Sequence, residues 1–313
     1  MPGIAVVSNP RSRQNRKDPS LSGQMSFMLG ARGQLAQPQT RDELVAQARI
    51  FRDEGIDVLA VNGGDGTLHM VLTALIEAYE DTPLPSIAIL RGGTMNTIAH
   101  GLGIKGSPGE ILSSVLLRYH TNQPIPWAER NILKIEGGER PVYGFLFGNG
   151  LLSNFLEEHY RHPDPSPLSA TWLLIRACVS ALHNGELIQR LSARARCRVE
   201  VDGRPWPGDS YLTVTMGTVD DIGLGFRPFY EALRHAGRLH VVGFACDALG
   251  MVRCLPRVRM AMPIDAKDVY SAIPERVVLS SDTPMTFMVD GDFHPAGQVL
   301  TVTAGPRIRF LLP

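Results

Sequence analysis

Asn62-Gly63-Gly64-Asp65-Gly66-Thr67 is the stretch whose residue types could do chemistry. Glycine has no Cβ, so its backbone can come close to a ligand. Free backbone N–H groups and the positive end of a helix dipole favour an anion at such a place. Asp65 is at odds with a bare anion cradle. Its carboxylate would repel phosphate unless a divalent cation lay between them, or unless it acted on a neutral hydroxyl. Either use points to phosphoryl transfer. The plainer reading is a tight turn that needs glycine, and the cluster alone leaves both open. A second turn of the same kind follows, Arg91-Gly92-Gly93-Thr94-Met95-Asn96. Its Thr94 and Asn96 could hold phosphate or merely cap the next helix.

The elements around these turns read as strand and helix in alternation. An apolar run, Val58 to Val61, precedes the first turn. Leu68, Val71, Leu72, Leu75, Ile76 and Tyr79 recur after it at helical spacing. Ile87 to Leu90 is the strand before the second turn, and a helix through Ala99 and Leu102 follows. Upstream, Ile4 to Val7 is a short buried strand that runs into Asn9-Pro10-Arg11-Ser12. Residues 11–39 are polar with weak periodicity and read as a mobile loop, with at most one helical turn at Met25 to Leu29. Thr40 and Asp42 are candidate caps for a helix bearing Leu44, Ala48 and Phe51 on one face. Ser107-Pro108-Gly109-Glu110 has the form of a capping box with proline at the first helical position. This pattern predicts an α/β N-terminal domain with a parallel sheet, over 1–125. Both glycine turns should open at the carboxyl edge of that sheet.

From Gln123-Pro124-Ile125-Pro126 the texture changes. Asn131–Ile135 and Val142–Phe147 read as a hairpin. Further strand candidates are Arg198–Val201, Tyr211–Thr215, Leu239–Val242, Val277–Leu279, Thr286–Val289, Val299–Thr303 and Ile308–Leu311. The expectation is a β-rich, sandwich-like C-terminal domain over 126–313, with a helical insert near 169–191.

With 313 residues the chain has room for two domains. Its formal net charge is zero, so nothing global attracts nucleic acid or an anionic membrane. The four cysteines, Cys178, Cys197, Cys246 and Cys254, form no metal-binding spacing and suit a reducing compartment. The N-terminus lacks signal-peptide character and no apolar run is long enough for a membrane span. A cytoplasmic protein, visiting membranes peripherally, is the expectation.

Taken together, the motifs resemble the diacylglycerol kinase catalytic domain family, which sphingosine kinases and bacterial lipid kinases share. Asn62 to Thr67 is similar to its GGDGT signature. Gly93-Thr94-Met95-Asn96, with Ala99 and Leu102-Gly103-Ile104, resembles its GTxN…A…LGI signature. Asn9 to Ser12 resembles its first nucleotide loop, Gly223 to Pro228 its glycine-then-proline stretch, and Asp290-Gly291-Asp292 its late DGE. The resemblance implies an ATP-dependent kinase acting on a lipid hydroxyl, by default that of diacylglycerol, with ATP and magnesium as cofactors. The nucleotide would lie between the two domains. It implies that Asn9, Ser12, Gly63, Gly64, Gly66, Thr67, Gly93, Thr94 and Asn96 hold the nucleotide, with Thr40 a weaker contact that reads first as a cap. Asp65 would organise phosphate and the catalytic magnesium, while Asp290 and Asp292 stand near the attacking hydroxyl and Asp292 accepts its proton. Asp290-Gly291 is also an ordinary hairpin turn. A soluble NAD kinase-like enzyme shares the GGDGT turn, and a non-catalytic nucleotide- or lipid-binding homologue is the third reading.

The sequence departs from that pattern in places. Arg13 stands for glycine in the first loop, Arg91 for proline and Thr97 for aspartate around the second turn. Asp292 stands for glutamate. Ala236, in His235-Ala236-Gly237-Arg238-Leu239, replaces the aspartate that in bacterial relatives helps hold a structural magnesium. His69, His100, His159 and His162 have no metal spacing and read as structural or solvated. Two stretches could meet lipid. Ala170 to Leu182 is apolar almost all round and reads most simply as a buried helix, with a membrane-dipping helix as the alternative. Met251 to Met262 is basic and amphipathic, but Pro256 argues against one continuous helix.

Overall fold

In the computed structural model, which describes residues 3–30, 33–163 and 165–313, the apolar runs around the glycine turns form a parallel sheet. The chain falls into two units, 1–130 with 307–313, and 131–306.

The first unit contains β1 (Ile4–Ser8), α1 (Arg13–Lys17), α2 (Leu21–Leu29), β2 (Gln34–Ala36), α3 (Arg41–Asp53), β3 (Val58–Asn62), α4 (Asp65–Tyr79), β4 (Ser86–Ile89), α5 (Thr97–Gly101) and α6 (Pro108–His120). β2, β1, β3 and β4 lie side by side and parallel, with Val7 opposite Val61 and Val61 opposite Ile89. Every residue of β1 and β3 is buried, as expected of continuous apolar strands covered on both faces. α3 packs on α4, burying Phe51 and Ala48 of the one and Leu72 and Leu75 of the other. Thr40 caps α3, its Oγ1 accepting from the Glu43 amide at 3.2 Å. The capping box of α6 is complete, with Ser107 and Glu110 each bonding the other's backbone N–H.

The loop expected over residues 11–39 is corrected. It holds α1, α2 and β2, with Ala31 and Arg32 outside the described residues. α2 is fixed by the few buried side chains it offers, Met25 and Leu29, while Phe27 points outward. So few apolar contacts leave almost no periodicity to read.

The second unit takes up the rest: β5 (Trp127–Glu136), which begins in the first unit, then β6 (Val142–Gly144), β7 (Leu146–Gly148), α7 (Leu151–Tyr160), α8 (Pro167–Leu182), α9 (Glu186–Leu191), β8 (Ala195–Arg196), β9 (Arg198–Val201), β10 (Arg204–Pro205), β11 (Ser210–Tyr211), β12 (Thr213–Gly217), β13 (His240–Phe244), α10 (Ala248–Arg259), β14 (Val269–Ala272), β15 (Arg276–Ser280), β16 (Met285–Val289), β17 (Asp292–Ala296) and β18 (Val299–Leu311). One antiparallel sheet runs β14-β13-β12-β7-β16-β17, and β10, β9, β15 and β18 follow one another in a second. Phe147, Val214, Met216, Val241 and Phe287 of the first sheet meet Val199, Val277, Leu279, Leu300 and Val302 of the other in one buried cluster. The sandwich-like reading holds.

Three details differ from expectation. The two strands expected at 299–303 and 308–311 are one strand, β18, continuous through Gly305 and Pro306. Its residues from 307 onward belong to the first unit, where Phe310 pairs with Ile87 of β4. α10 is likewise continuous through Pro256, which sits on its exposed side near the C-terminal end. Among the described residues no helix is long and apolar enough to cross a membrane.

Ser107→Ala should remove the half of the α6 capping box that the hydroxyl makes with the Glu110 amide, leaving the Glu110 carboxylate on the backbone N–H of residue 107. The expected loss is about 1 kcal/mol of local stability, read as faster hydrogen exchange of the α6 amides.

Candidate functional site

β3 and β4 are parallel neighbours, so the two glycine turns leave the same sheet edge side by side. They touch through backbone. A Cβ on Gly64 would lie 3.1 Å from the Cα of Gly93, and one on Gly93 would fall on the Cα of Gly64. Gly92 is equally constrained, since its Cβ would come 2.5 Å from Oδ1 of Asn62. Gly63 lies under the side chain of Thr67.

Hydrogen bonds lock the first loop to both turns. Asn9 Nδ2 donates to Thr67 Oγ1 at 2.9 Å and the Asn9 amide to the Asn62 carbonyl at 3.0 Å. The Gln14 amide donates to the Gly92 carbonyl at 3.1 Å. Behind them is a buried polar group that sequence reading missed. Asn62 Nδ2 donates to Ser8 Oγ at 3.0 Å and to Asn15 Oδ1 at 2.9 Å, and Asn15 Nδ2 donates to the Asn9 carbonyl at 2.7 Å. Asn15 lies in a polar run and carried no signal beyond being a short amide one turn after the motif.

Asn96 has a left-handed backbone, with φ +50°. Its side chain turns back into its own loop, accepting from the Gly93 amide at 3.0 Å and donating to the Gly93 carbonyl at 3.1 Å. It therefore does not cap α5. Asp65 does so from the other turn. Its Oδ2 accepts from the Thr97 amide at 2.9 Å and its Oδ1 from the Ile98 amide at 3.2 Å. Burial pushes the Asp65 carboxyl above its ordinary range, and those amides and the nearby His100 pull against that push. His100 also lies 3.4 Å from Arg91 Nη2.

What this leaves open is the start of α4. The first intrahelical bond is Leu68 N–H to the Gly64 carbonyl. Among the described residues no acceptor takes the amides of Asp65, Gly66 or Thr67, and the hydroxyls of Ser12 and Thr94 donate to nothing. Orphan amides beside glycines without Cβ suit a phosphate.

In the second unit, Asp290 and Gly291 form the two-residue turn between β16 and β17, with φ of +48° and +100°. That is the type I′ geometry. Asp290 is spoken for. Its carboxylate accepts from the Phe145 amide at 2.9 Å and the Leu146 amide at 2.8 Å, holding the break between β6 and β7. Gly144 makes room for it, since a Cβ there would come 2.5 Å from Asp290 Oδ2. Tyr160, at the end of α7, donates to the Gly291 carbonyl at 3.1 Å, a contact no sequence signal announced. Asp292 opens β17 and differs in kind. Its carboxylate accepts no hydrogen bond among the described residues, and burial alone pushes its pKa up. A desolvated carboxylate without donors is suited to taking a proton.

The segment around Ala236 offers no carboxylate. Gly237 N–H donates to Asn131 Oδ1 at 3.2 Å instead. Among the described residues no cluster of three or more His, Cys, Asp or Glu side chains could hold a metal. The residues present fit a magnesium carried mainly by phosphate oxygens and do not fit a protein-only cage.

Comparison with known proteins accords with this arrangement. Residues 3–124 match the diacylglycerol kinase catalytic domain. The chain is 25% identical over 258 residues to a probable YegS-like lipid kinase of Enterobacter sp. (strain 638), covering 81% of this chain and 77% of that one. It is 24% identical over 284 residues to a probable YegS-like lipid kinase of Klebsiella pneumoniae (strain 342), covering 82% and 85%. In fold it is similar to a putative diacylglycerol kinase from Bacillus anthracis str. Sterne, with TM-score 0.69, 13% identity, and 99% and 97% of the two chains covered. Residues 3–124 are thus similar to the diacylglycerol kinase catalytic domain, and the chain as a whole is similar to YegS-like lipid kinases.

Proposed function

We propose that the chain is an ATP-dependent lipid kinase that moves the γ-phosphate of ATP to the hydroxyl of diacylglycerol. The observation that carries this reading is the backbone contact of Gly64 with Gly93, beside which the amides of Gly66 and Thr67 have no acceptor among the described residues. These amides, with Ser12, Thr94 and the loop held by Asn9 and Asn96, bind the nucleotide phosphates. Gly63 and Gly93 keep the cradle free of side-chain atoms. Thr40 belongs to the cap of α3 and acts on the nucleotide only through that helix.

Asp292 takes the proton of the acceptor hydroxyl. The freed oxygen attacks the γ-phosphorus, the bond to the bridging oxygen breaks, and ADP leaves with the electron pair. Asp290 positions the hairpin that carries Asp292. Asp65 fixes α5 against α4 through two of its lone pairs, and its others suit a magnesium ion accompanying the nucleotide. When bound, that ion would offset the charge on the β- and γ-phosphates.

Three outcomes test the reading. Asp292→Asn should lower kcat by about 10²–10⁴-fold while nucleotide affinity stays at the parent value, measured by labelled phosphate transfer and by calorimetry. Transfer at the parent rate would remove Asp292 from the mechanism, and NADP formed from NAD with no lipid product would replace the lipid acceptor. Gly93→Ala should do the reverse. The added methyl pushes the turns apart and nucleotide affinity falls at least about tenfold.

The third outcome is a matter of pH. Burial raises the Asp292 carboxyl above its ordinary value of 3.8, so the unfolded chain ionises it more readily than the folded one. The resulting loss of stability is absent below the unfolded pKa and develops as pH rises through the folded one. Asp292→Asn should therefore melt at a higher temperature than the parent at neutral pH and at the same temperature below about pH 3.

A further inference from the structure

α8 is apolar on two opposite faces, and the large side chains are on the wrong one for a core. Ala170, Leu173, Ala177, Ser180 and Ala181 face inward, and Ala177 and Ala181 pack with α9 and with Ala248 and Val252 of α10. Leu168, Trp172, Ile175, Val179 and Leu182 face out, at 76%, 65%, 46%, 52% and 69% exposure. Their spacing alternates four and three residues, so they form one stripe along the helix. A contiguous exposed stripe of this size marks a surface that meets something.

The surroundings say what. α8 and α10 together carry four arginines, Arg176, Arg253, Arg257 and Arg259, and no aspartate or glutamate. Arg176 and Arg253 are exposed and, among the described residues, make no ion pair or hydrogen bond. Arg176 directly follows Ile175 of the stripe. Trp172 brings an indole, a group that favours the boundary between water and hydrocarbon. An apolar stripe with unpaired cations, on a pair of helices that carry no carboxylate within them, suits a negatively charged bilayer surface.

We propose that the outward face of α8, flanked by Arg176 and by Arg253 of α10, docks the protein on anionic membranes with its large side chains in the headgroup boundary. This deepens the lipid-kinase reading, on which it rests for its purpose, by assigning the surface that meets the acceptor's membrane. Its test needs no turnover.

The full-length protein, without ATP, is sedimented with phosphatidylglycerol–phosphatidylcholine vesicles and with vesicles of phosphatidylcholine alone. Binding to the anionic vesicles that weakens with salt is expected. The doubly substituted Trp172→Ser, Val179→Ser protein and the Arg176→Glu, Arg253→Glu protein should each bind at least about tenfold more weakly. All four positions are exposed, so both proteins should keep the parent melting temperature. Both should also keep the parent rate on a short-chain diacylglycerol in solution. Failure of the parent to bind, binding that ignores phosphatidylglycerol, or parent-like binding by both variants overturns the proposal. So does a dimer in light scattering that Trp172→Ser, Val179→Ser turns into a monomer, which would make the stripe a contact between copies. Loss of docking with transfer to the soluble acceptor intact overturns only the docking surface. Absence of transfer with docking intact overturns only the kinase reading.

Discussion

Two backbones in contact decide the geometry of the first unit. β3 and β4 run parallel and adjacent, so the turns that follow them must compete for the same space at the sheet edge. Gly64 and Gly93 resolve the competition by having nothing to collide. Once the turns meet, Asp65 reaches the amides of Thr97 and Ile98, and Gln14 reaches the carbonyl of Gly92. The first loop then closes over both through Asn9 and Thr67. Each of these bonds presumes the close approach, which no residue with a Cβ could allow.

Three aspartates near the motifs share a side chain and differ in what donates to it. Asp65 receives two amides and Asp290 receives the amides of Phe145 and Leu146. Asp292 receives none among the described residues. Hydrogen bonds hold a carboxylate still and favour its ionised form, whereas burial favours the neutral one, and at Asp65 burial outweighs the amides. The environment thus separates two carboxylates held by backbone amides from one that is buried without donors among the described residues.

Much of this was legible in the residues. The glycine turns, the strand before each and the helix after each are local patterns with strong punctuation, and they lie where expected. So does the Ser107 capping box, because its partners are three residues apart. What escaped were features set by distant partners. α2 and β2 are held by tertiary contact in a polar stretch, and Asn15 matters through Asn62, far along the chain. Asp65 reads as a phosphate or metal ligand from its motif, yet its carboxylate accepts hydrogen bonds from the start of α5. α8 shows the limit of periodicity from another side. A helix apolar all round reads as buried, and only the structure shows that alanines face in and Trp172 faces out.

β18 has a consequence for the order in which the protein can be made. Its residues from 307 onward complete the first unit, where Phe310 lies against Ile87. During synthesis residues 1–130 emerge with the outer edge of β4 bare, and the segment that covers it is translated only after the whole of the second unit, 131–306. That edge is an unpaired row of backbone donors and acceptors for the whole interval, open to strands of neighbouring nascent chains. A unit that looks self-contained in its motifs must therefore wait for the whole second unit to be made before it can finish its own sheet.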